Sequence, residues 1–363
     1  MIIFLISFFI QTIYYLAVYA RIIFIRKQKP KNKCSQPLTV IISARNEENN
    51  LRKFIPLIMS QDYDKFEVII IDDNSDDSSL KMLNNLSENY ENLKVLTAEK
   101  NTSGKGNKKK SLTKAISKAE NEILVFTDAD CRPVSNKWLQ NIASAYSENT
   151  EIVLAYGAYE KQKGLLNKLI RYETLYNALQ YLSFAYIGLP FMAAGRNLSY
   201  KKSVFVKNKG FNSHKNILYG DDDLFINEVA TKKNTKITTE SSSKTVSVPK
   251  QTFREYIQQK KRHLAAGFNY KTKNKIIIGT EILSRFLFYL IFLYFIVTDY
   301  QTKVVLTVFF IRAMMICCVI KFFAMKIKEQ NNLFFIPIFD LLIPLINLYI
   351  VITRYFKKDI VWK

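Results

Sequence analysis

The sequence of 363 residues has few cysteines and few acidic residues. Its four cysteines, Cys34, Cys131, Cys317 and Cys318, show no paired spacing. This argues against a disulfide framework or a zinc site and favours a reducing compartment for any soluble part. Only 31 Asp and Glu accompany 53 Lys and Arg, which gives a formal charge of +22. Such a balance implies anionic partners: nucleic acid, phosphorylated substrates or an anionic membrane surface.

Several functional signatures are also missing. No G-x-G-x-x-G follows the first predicted strand, which argues against a dinucleotide-binding domain. The G-x-x-x-x-G-K-[ST] pattern of P-loop enzymes is absent too, and Gly104-Lys105-Gly106 is only a weak phosphate loop. A transporter would have more membrane spans and internal repeats, and no repeat is found.

Long apolar blocks, rich in Phe and Tyr, lie at both ends of the chain, and they favour a membrane over nucleic acid as the anionic partner. The first block, residues 1–25, is long enough to span a bilayer and shows no A-x-A cleavage site. We predict a transmembrane anchor over residues 1–30, with an uncleaved signal sequence as the alternative. Basic flanks stay cytoplasmic, so the next domain is expected in the cytosol. The flank consists of Arg26, Lys27, Lys29, Lys31 and Lys33.

Three more apolar blocks, at about 277–298, 303–325 and 333–356, form a predicted membrane domain over residues 276–363. The charged residues that interrupt them are expected to face protein; they are Glu281, Arg285, Arg312 and Asp340. Pro337 and Pro344 make the last block a candidate for a kinked or re-entrant segment. Strict alternation places the basic tail, 354–363, outside, whereas its charge favours the inside. A hairpin in the last block would reconcile the two, and the sequence leaves this open.

Between these ends, strands alternate with helices. Apolar runs predict strands at 38–44, 66–71, 94–96 and 123–126. Asn46 is placed to cap the helix after the first strand, and another helix is predicted from about Ser78. Near-continuous apolar strands separated by helices are typical of a mostly parallel sheet with helices on both faces. The predicted fold class is therefore α/β, with transmembrane helices at both ends.

Acidic pairs follow two of the predicted strands. Asp72 and Asp73 follow the second strand, and Asp128 and Asp130 follow the fourth. Residues two apart in a strand point the same way, so Asp128 and Asp130 can aim at one point. Ligands bind at this edge of open α/β sheets, and paired carboxylates suit Mg²⁺ or Mn²⁺. We predict a metal site there; a polar loop is the plain alternative.

Two further clusters are polar. Residues 103–116 concentrate lysines before a helix, either as a solvated loop or as a diphosphate-contacting loop; the lysines are Lys105, Lys108, Lys109 and Lys110. Residues 165–191 are apolar and aromatic but contain Arg171 and Glu173. They predict either an interfacial helix that feeds a lipid-linked acceptor or a simple packing helix.

The blocks IISARNEENNL, EVIIIDDNSDDSS, GKGNKKKSLTKAI and FTDADC together resemble, in order and spacing, the membrane-anchored family 2 glycosyltransferases of GT-A fold. The match continues in AAGRNLSYKK (193–202), YGDDDLF (219–225) and QQKKRH (258–263) and covers roughly residues 36–270. It implies a Rossmann-like GT-A domain, here placed at 36–272, that transfers a sugar from a nucleotide-diphosphate donor with inversion and a divalent metal.

The resemblance also implies roles for single residues. The donor nucleotide would contact Ala44, Arg45, Glu47, Asp72, Asp73, Lys108, Asp128 and Arg262. Asp128 and Asp130 would hold Mg²⁺ or Mn²⁺. The acceptor side would contain Gly195, Asn197, Gln259 and His263. His263 stands where the family has Trp, which weighs against polymer synthesis, and residues 253–263 also form an amphipathic basic helix suited to a membrane surface.

The catalytic base implied by the resemblance lies in the run Asp221-Asp222-Asp223. The family usually has Glu-Asp followed by two residues and an apolar one. Counting back from Leu224 assigns the base to Asp221, with Gly220 where Glu is common, and Asp222 is the alternative. Neighbouring carboxylates raise each other's pKa, which suits a base. An acidic helix cap is the plain alternative.

We therefore expect a multi-pass membrane glycosyltransferase of a bacterial inner membrane, with its catalytic domain in the cytoplasm. It would move a sugar from a nucleotide donor to a lipid or lipid-linked acceptor. A UDP-sugar is the preferred donor, and the sequence leaves the choice between UDP and GDP open. Polysaccharide synthesis ranks second because only about four spans are available. A non-catalytic membrane protein that binds nucleotide sugars is a further alternative, and nucleic acid is not an expected partner.

Overall fold

The computed structural model describes residues 1–25, 36–99, 107–217, 219–329 and 333–356. Contacts divide the chain into two compact units. An α/β unit contains residues 36–160 and 188–249, and a helical unit contains residues 1–25, 161–187 and the described residues from 250 onward. The GT-A segment predicted over residues 36–272 is therefore shared between both units. Outside the described residues lie Cys34, the basic flank from Arg26 to Lys33, the loop residues Gly104, Lys105 and Gly106, and the tail 357–363.

The elements are numbered in chain order. The strands are β1 (Leu38–Ala44), β2 (Phe66–Asp72), β3 (Leu93–Thr97), β4 (Ile123–Asp128), β5 (Cys131–Pro133), β6 (Ile152–Leu154), β7 (Gly157–Tyr159), β8 (Leu198–Lys201), β9 (Thr235–Ile237) and β10 (Thr245–Ser247). The α-helices are α1 (Ile2–Thr12), α2 (Glu48–Met59), α3 (Ser79–Ser87), α4 (Lys108–Lys118), α5 (Trp138–Ser144), α6 (Leu165–Tyr186), α7 (Lys202–Lys207), α8 (Asp223–Val229), α9 (Phe253–Gly267), α10 (Thr272–Val297), α11 (Thr302–Lys326) and α12 (Ile336–Phe356).

The larger sheet of the α/β unit has the strand order β3-β2-β1-β4-β8-β6-β9. The first four of these strands run parallel, and β8 lies antiparallel between β4 and β6. They are the four strands predicted from the sequence, and the predicted α/β class is confirmed. The register places Ala44 beside Asp72 and Ser43 beside Asp128. The two acidic strand ends therefore flank the same end of β1.

The central strands are buried on both faces, which explains their unbroken apolar sequences. On one face, Val40 and Ile42 of β1 belong to a core that α2, α3 and α5 complete with Leu51, Leu83 and Trp138. On the other face, α4 packs against β1 and β2. Because both faces are covered, the strand ends and the loops that follow them have fixed positions.

Asn46 does not cap α2, which makes that prediction wrong. The N-cap residue is Glu47, and Asn46 has a left-handed φ of +54°. The Asn46 N–H donates to Ser75 Oγ at 2.9 Å, and the Asn46 side-chain oxygen accepts from the Asp76 N–H at 2.7 Å. The amide that could cap a helix instead joins the loop after β1 to the loop after β2.

A second, smaller sheet has the order β5-β10-β7. β10 runs antiparallel to β5 and parallel to β7, with Ser247 beside both Cys131 and Tyr159. Since β4 ends at Asp128 and β5 begins at Cys131, the two-residue turn between them connects the larger sheet to the smaller one. Both ends of that turn are held by strand pairing.

The helical unit contains four helices that are long and apolar enough to cross a membrane: Ile2–Phe24, Thr272–Val297, Thr302–Lys326 and Ile336–Thr353. They correspond to the four apolar blocks of the sequence. The last helix continues through Pro344 without a break, so residues 336–356 form no hairpin. The segment is therefore not re-entrant. It is one helix that contains Pro344.

The apolar segment predicted between 165 and 191 forms α6, which is buried along most of its length. Its Glu173 forms an ion pair with Lys260 of α9 and accepts a hydrogen bond from the Tyr256 hydroxyl at 2.8 Å. This burial favours the packing alternative over the interfacial one.

Charged side chains from three helices meet inside the helical unit. Arg285 of α10 pairs with Glu281 of the same helix and lies 3.5 Å from Asp340 of α12. Arg312 of α11 lies 2.8 Å from Asp340. All four side chains are buried, and two acids balance two arginines, which is the pairing that buried charges require. The expectation that these charges face protein is confirmed. We call these four residues the helical-unit cluster.

Candidate active site

The turn between β4 and β5 gathers three groups that can bind a metal. Oxygens of Asp128 and Asp130 and the sulfur of Cys131 lie within 4.8 Å of one another. Cys131 is buried, its sulfur lies 2.7 Å from Ser247 Oγ, and burial together with the two carboxylates raises the pKa of its thiol well above the usual range. A neutral thiol is a poor ligand for a hard cation, so the carboxylates of Asp128 and Asp130 remain as the donors that suit Mg²⁺ or Mn²⁺.

Lys108, the first residue of α4, bridges two acids from different parts of the chain. Its Nζ lies 2.9 Å from Asp128 Oδ1 and 3.0 Å from Asp221 Oδ2. Burial alone would favour the neutral amine, but Asp128, Asp221 and Asp222 outweigh it and hold the lysine pKa well above its usual range. Asn107 orients this helix end, because its side chain accepts from the Lys110 N–H at 3.2 Å. We call Asp128, Asp221, Asp222 and Lys108 the acid–lysine cluster.

The acid–lysine cluster lines a cleft of about 310 Å³, counting its open mouth. The apolar wall consists of Ile41, Leu112, Phe126, Leu198 and Tyr200. The polar wall adds Ser43, Thr127 and Gly195 to the cluster. The cleft lies at the carboxyl ends of β1 and β4, where the sequence predicts ligand binding.

The neighbouring lysine faces away from this cleft. Lys109 Nζ donates to the backbone oxygens of His214 (2.8 Å) and Ile217 (2.9 Å), and burial lowers the pKa of Lys109 to about 8. It supports the chain that leads into α8. In the lysine-rich segment, Lys108 therefore lines the cleft, whereas Lys109 holds the backbone before α8.

The structure distinguishes Asp221 from Asp222. Both Asp222 oxygens accept backbone N–H groups, from Gly195 at 2.6 Å and from Asp223 at 2.8 Å, and Asp222 is the N-cap of α8. Burial and then the adjacent Asp221 raise the Asp222 pKa to about 6. Asp221 instead points at Lys108. The two acids therefore differ in their contacts: Asp221 reaches the Lys108 ammonium, and Asp222 accepts from backbone N–H groups.

Gly220, which stands where related sequences commonly have Glu, is required by the backbone here. Its φ is +86°, a conformation that residues with a Cβ rarely adopt. A Cβ at this position would lie 2.5 Å from side-chain atoms of Leu224. The departure from the expected Glu-Asp pair therefore follows from the tight turn before α8.

At the end of β2, Asp72 has an unused acceptor. Its Oδ2 accepts from the Ser75 N–H at 3.1 Å. Its Oδ1 is buried and has no hydrogen-bond partner among the described residues. A buried carboxylate oxygen without a donor is costly, and this atom can still accept a hydrogen bond.

Asp73, which the resemblance implies as a nucleotide contact, is buried and already hydrogen-bonded within the protein. It is 3% exposed and accepts a hydrogen bond from Ser111 Oγ at 3.0 Å. Burial raises its pKa. Asp73 therefore anchors α4 to the end of β2 and has little surface for a ligand.

Other residues predicted near the nucleotide lie along the loop after β1. Ala44 is buried at the strand end, and Arg45 lies 4.0 Å from Asp76. Glu47 occupies the N-cap position of α2 and accepts from the Asn50 side-chain amide at 2.6 Å. The structure thus brings Ala44, Arg45 and Glu47 to the same sheet edge as Asp72.

The turn 195–197 gives a mixed result for the acceptor side. Gly195 lines the cleft through its contact with Asp222. Asn197 is fully buried: its side-chain oxygen accepts from Trp138 Nε1 (3.1 Å), and its Nδ2 donates to the backbone oxygens of Tyr156 and Ser243 (2.8 Å each). The amide is thus used within the protein, and the contact of Asn197 with an acceptor stays a prediction.

Gln259, Arg262 and His263 lie on α9 of the helical unit. Their roles toward the donor and acceptor stay predictions. Arg196 is a residue whose role the sequence did not indicate: its guanidinium lies 4.2 Å from the centroid of the Tyr159 ring. Its only signal in the sequence was its position between the predicted Gly195 and Asn197.

Comparison with known proteins gives a consistent result for the first part of the chain. A family model described as Glycosyl transferase family 2 matches residues 39–207. A beta-monoglucosyldiacylglycerol synthase from Synechocystis sp. is 28% identical over 137 residues, which are 37% of this chain and 27% of that protein. Glycosyltransferase AglE from Haloferax volcanii is 30% identical over 112 residues, which are 30% of this chain and 35% of that protein. The matched segment thus spans about a quarter to a third of these relatives.

A solved structure shows the same fold. Mannosyltransferase PcManGT from Pyrobaculum calidifontis, in complex with GDP-Man and Mn²⁺, has a TM-score of 0.56 and 17% identity, over 90% of this chain and 96% of that one. At this identity the similarity shows the fold alone, which is GT-A. Together with the family model and the glycosyltransferase relatives, it leads to one conclusion: the chain contains a segment, residues 39–207, that is similar to Glycosyl transferase family 2, and its fold is GT-A.

Proposed function

We propose that this enzyme is a membrane-bound inverting glycosyltransferase. It transfers one sugar from a nucleotide-diphosphate sugar, a UDP-sugar, to a lipid or lipid-linked acceptor on the cytosolic face of the membrane. The observation that carries this proposal is the acid–lysine cluster, in which Asp221 faces the proposed metal ligand Asp128 across the Lys108 ammonium. In this proposal, a base and a diphosphate-binding region would lie on either side of one cleft.

The donor nucleotide would occupy the ends of β1 and β2. The buried Oδ1 of Asp72 can accept the imide N–H of uracil, which would supply its missing hydrogen bond. Uracil also has a single such N–H, in keeping with one free oxygen. The diphosphate would then extend past the end of β1 toward Asp128 and Lys108.

Asp128 and Asp130 would hold Mg²⁺ or Mn²⁺. The ion would act as a Lewis acid and a template for the diphosphate, offsetting the charge that grows on the leaving group. Lys108 is the second cation within reach of that charge. With an ion held by Asp128 and Asp130, Lys108 would donate to a phosphate oxygen, which is a normal partner for an ammonium.

Asp221 would act as the general base. It would accept the proton of the acceptor hydroxyl on Oδ2 while the oxygen attacks the anomeric carbon opposite the departing diphosphate, which inverts that centre. Inverting glycosidases use one carboxylate base in the same way. Asp222 would hold Gly195 and the start of α8 in place, and so would fix the direction of its neighbour Asp221.

A lipid acceptor is supported by composition and by one relative. Four apolar helices could place the enzyme in a membrane, where a lipid substrate is concentrated. The relative from Synechocystis is named a glycolipid synthase, and we extend that acceptor class to this chain as a proposal. The basic flank after the first apolar block supports a cytosolic site, because positive loops stay cytoplasmic.

Nucleotide release tests the proposal directly. The full chain in detergent would be incubated with Mn²⁺ or Mg²⁺ and a panel of UDP- and GDP-sugars, with and without a total lipid extract, and free nucleoside diphosphate would be assayed. We expect release from one UDP-sugar that rises when lipid is added. Release that does not depend on lipid would point to a soluble or polymeric acceptor. Nucleotide binding without any release would contradict transferase activity.

A further inference from the structure

Arg196 has a backbone position that is fixed from two sides. Its carbonyl oxygen accepts hydrogen bonds from Thr127 Oγ1 at 3.1 Å and from Thr245 Oγ1 at 2.9 Å. Thr127 directly precedes the proposed metal ligand Asp128 in β4, and Thr245 begins β10 of the smaller sheet. The residue is therefore anchored to both sheets where they meet beside the metal turn.

The side chain of Arg196 is held as firmly as its backbone. Gly157 leaves room for its stem, since a Cβ at residue 157 would lie 2.4 Å from Arg196 Cγ. The guanidinium then stacks over Tyr159 with its carbon 4.2 Å from the ring centroid. An arginine that is already ordered loses little rotamer entropy on binding a ligand.

The strand register places this guanidinium near the metal turn. Tyr159 and Cys131 flank Ser247 on the two neighbouring strands of the smaller sheet. Two strand spacings amount to roughly 10 Å, and Cys131 belongs to the same group as Asp128 and Asp130. A diphosphate bound to a metal in that turn, or an anionic group on an acceptor beside it, would be within reach of Arg196.

Arg196 differs from the other arginines of the α/β unit in the distance of its guanidinium from the nearest carboxylate. Arg45, Arg52 and Arg132 each lie within 4.0 Å of a carboxylate, on Asp76, Glu48 and Glu160 respectively. Among the described residues, no carboxylate lies within this distance of Arg196. A partly exposed, immobilised guanidinium without an acid partner is suited to an anionic ligand.

We propose that Arg196 is a phosphate-binding residue of the active site, aimed by Gly157 and Tyr159. The planar fork of arginine can donate two parallel hydrogen bonds to a phosphate group. This inference rests on the proposed function, and it names a residue for either of two phosphates. One is the diphosphate of the donor, and the other is a phosphate carried by the lipid acceptor.

Pyrophosphate binding separates the two sources without any transfer reaction. Calorimetric titration of the full chain in detergent with inorganic pyrophosphate and Mn²⁺ would compare wild type with Arg196→Gln. Glutamine keeps most of the stem that lies against Gly157 but removes the charge. Arg132→Gln is the matched control, because Arg132 lies on the same small sheet and its guanidinium is already paired with Glu160 at 2.9 Å.

If Arg196 binds the donor diphosphate, Arg196→Gln weakens pyrophosphate binding about tenfold, as loss of a hydrogen bond to a charged group does. Arg132→Gln should stay within about twofold of wild type by the same reasoning. Arg196→Lys, which keeps the charge and loses the fork, should fall between wild type and Arg196→Gln. Thermal unfolding of each variant would verify that the fold is retained.

If Arg196 binds the acceptor phosphate, pyrophosphate affinity is unchanged and the effect moves to the acceptor. Nucleotide release would then be measured with vesicles that contain a prenyl phosphate and with vesicles that contain diacylglycerol. Arg196→Gln should raise KM about tenfold for the prenyl phosphate only. The proposal is overturned if Arg196→Gln and Arg132→Gln behave alike in both assays. An enzyme that lacks transferase activity would still give the pyrophosphate result, so the two proposals fail separately.

Discussion

The two charged clusters of this protein are built from the same residue types but differ in balance. The acid–lysine cluster has three carboxylates, Asp128, Asp221 and Asp222, around one cation, Lys108. The helical-unit cluster has two carboxylates and two arginines, all at most 3% exposed. The first cluster carries an excess of negative charge, and the second is neutral.

The difference teaches how charge balance separates a site from a scaffold. A neutral buried cluster has its hydrogen bonds and charges satisfied within the protein and so stays as it is. An acidic cluster beside a cleft costs free energy that a bound cation or a proton can recover. The helical-unit cluster therefore stabilises the helices, whereas the charge of the acid–lysine cluster fits the metal and the proton of the proposed reaction.

The largest effect is expected from a substitution of Asp221, the proposed general base in the acid–lysine cluster. Asp221→Asn keeps the shape but cannot take a proton, so turnover should fall about 10²- to 10⁴-fold. Nucleotide binding should stay within a few fold of wild type. Nucleotide release and nucleotide affinity would be measured side by side. Asp222→Asn is the matched control, with a smaller loss expected, and unchanged turnover in Asp221→Asn would move the base to Asp222.

The next effect breaks the helical-unit cluster. Asp340→Leu leaves Arg312 without its acid partner, which typically costs about 3–5 kcal/mol of unfolding free energy. The double variant Arg312→Met with Asp340→Leu removes both charges and should recover most of that loss. Thermal unfolding in detergent would show it. Asp128→Asn, the same type of change in the acidic cluster, should leave stability unchanged or raised because it relieves repulsion.

A double variant as unstable as Asp340→Leu alone would contradict this account. It would mean that the packing around Asp340, and not its charge, holds α12 in place. The hydrogen bond that the Tyr289 hydroxyl donates to Asp340 at 2.6 Å would then be the next contact to remove.

A metal-dependent effect sharpens the comparison. Lys108→Met leaves three acids without their cation, so stability should fall by about 1–3 kcal/mol in EDTA. Mn²⁺ should restore more stability to Lys108→Met than it adds to wild type, because it neutralises the same carboxylates. The unfolding temperature with Mn²⁺ and with EDTA gives the comparison. Asp340→Leu should gain nothing extra from Mn²⁺, and equal gains in all three proteins would disprove the link.

The smallest effect is a pH dependence at Asp222. Its pKa is raised to about 6 in the folded protein, chiefly by burial, while an unfolded Asp titrates near about 4. The folded state thus binds the proton more tightly, and the stabilisation that proton binding provides is lost as pH rises through the folded pKa. The unfolding free energy of wild type minus that of Asp222→Asn should fall by about 1 kcal/mol from pH 5 to pH 7. A constant difference would mean that Asp222 stays ionised throughout.

The sequence predicted β1, β2, β3 and β4 of the larger sheet within about two residues at each strand end. β1, β2 and β4 are buried on both faces, so their apolar runs are continuous and easy to delimit. The three-residue strands β5, β7 and β10 were not predicted. Strands that short depend on their partners in space, and their own residues give almost no periodic signal.

The sequence predicted which residue types form the site, but not which way each side chain points. Asp72 and Asp73 are adjacent acids after one strand, yet Asp72 has a free oxygen and Asp73 is used by Ser111. The choice between Asp221 and Asp222 depended on Gly195, which is 27 residues away in the chain. Such long-range hydrogen bonds decide which of two neighbouring side chains reaches the cleft, and no local pattern encodes them.

Gly220 also bears on how this lineage can evolve. Restoring the commoner glutamate in a single step would force a side chain onto Leu224 at 2.5 Å while the backbone keeps a φ of +86°. Leu224 would have to change first, and that step alone opens a hole in the core. Each single change is therefore expected to destabilise the fold, so the effects of substitutions at residues 220 and 224 are expected to depend on each other.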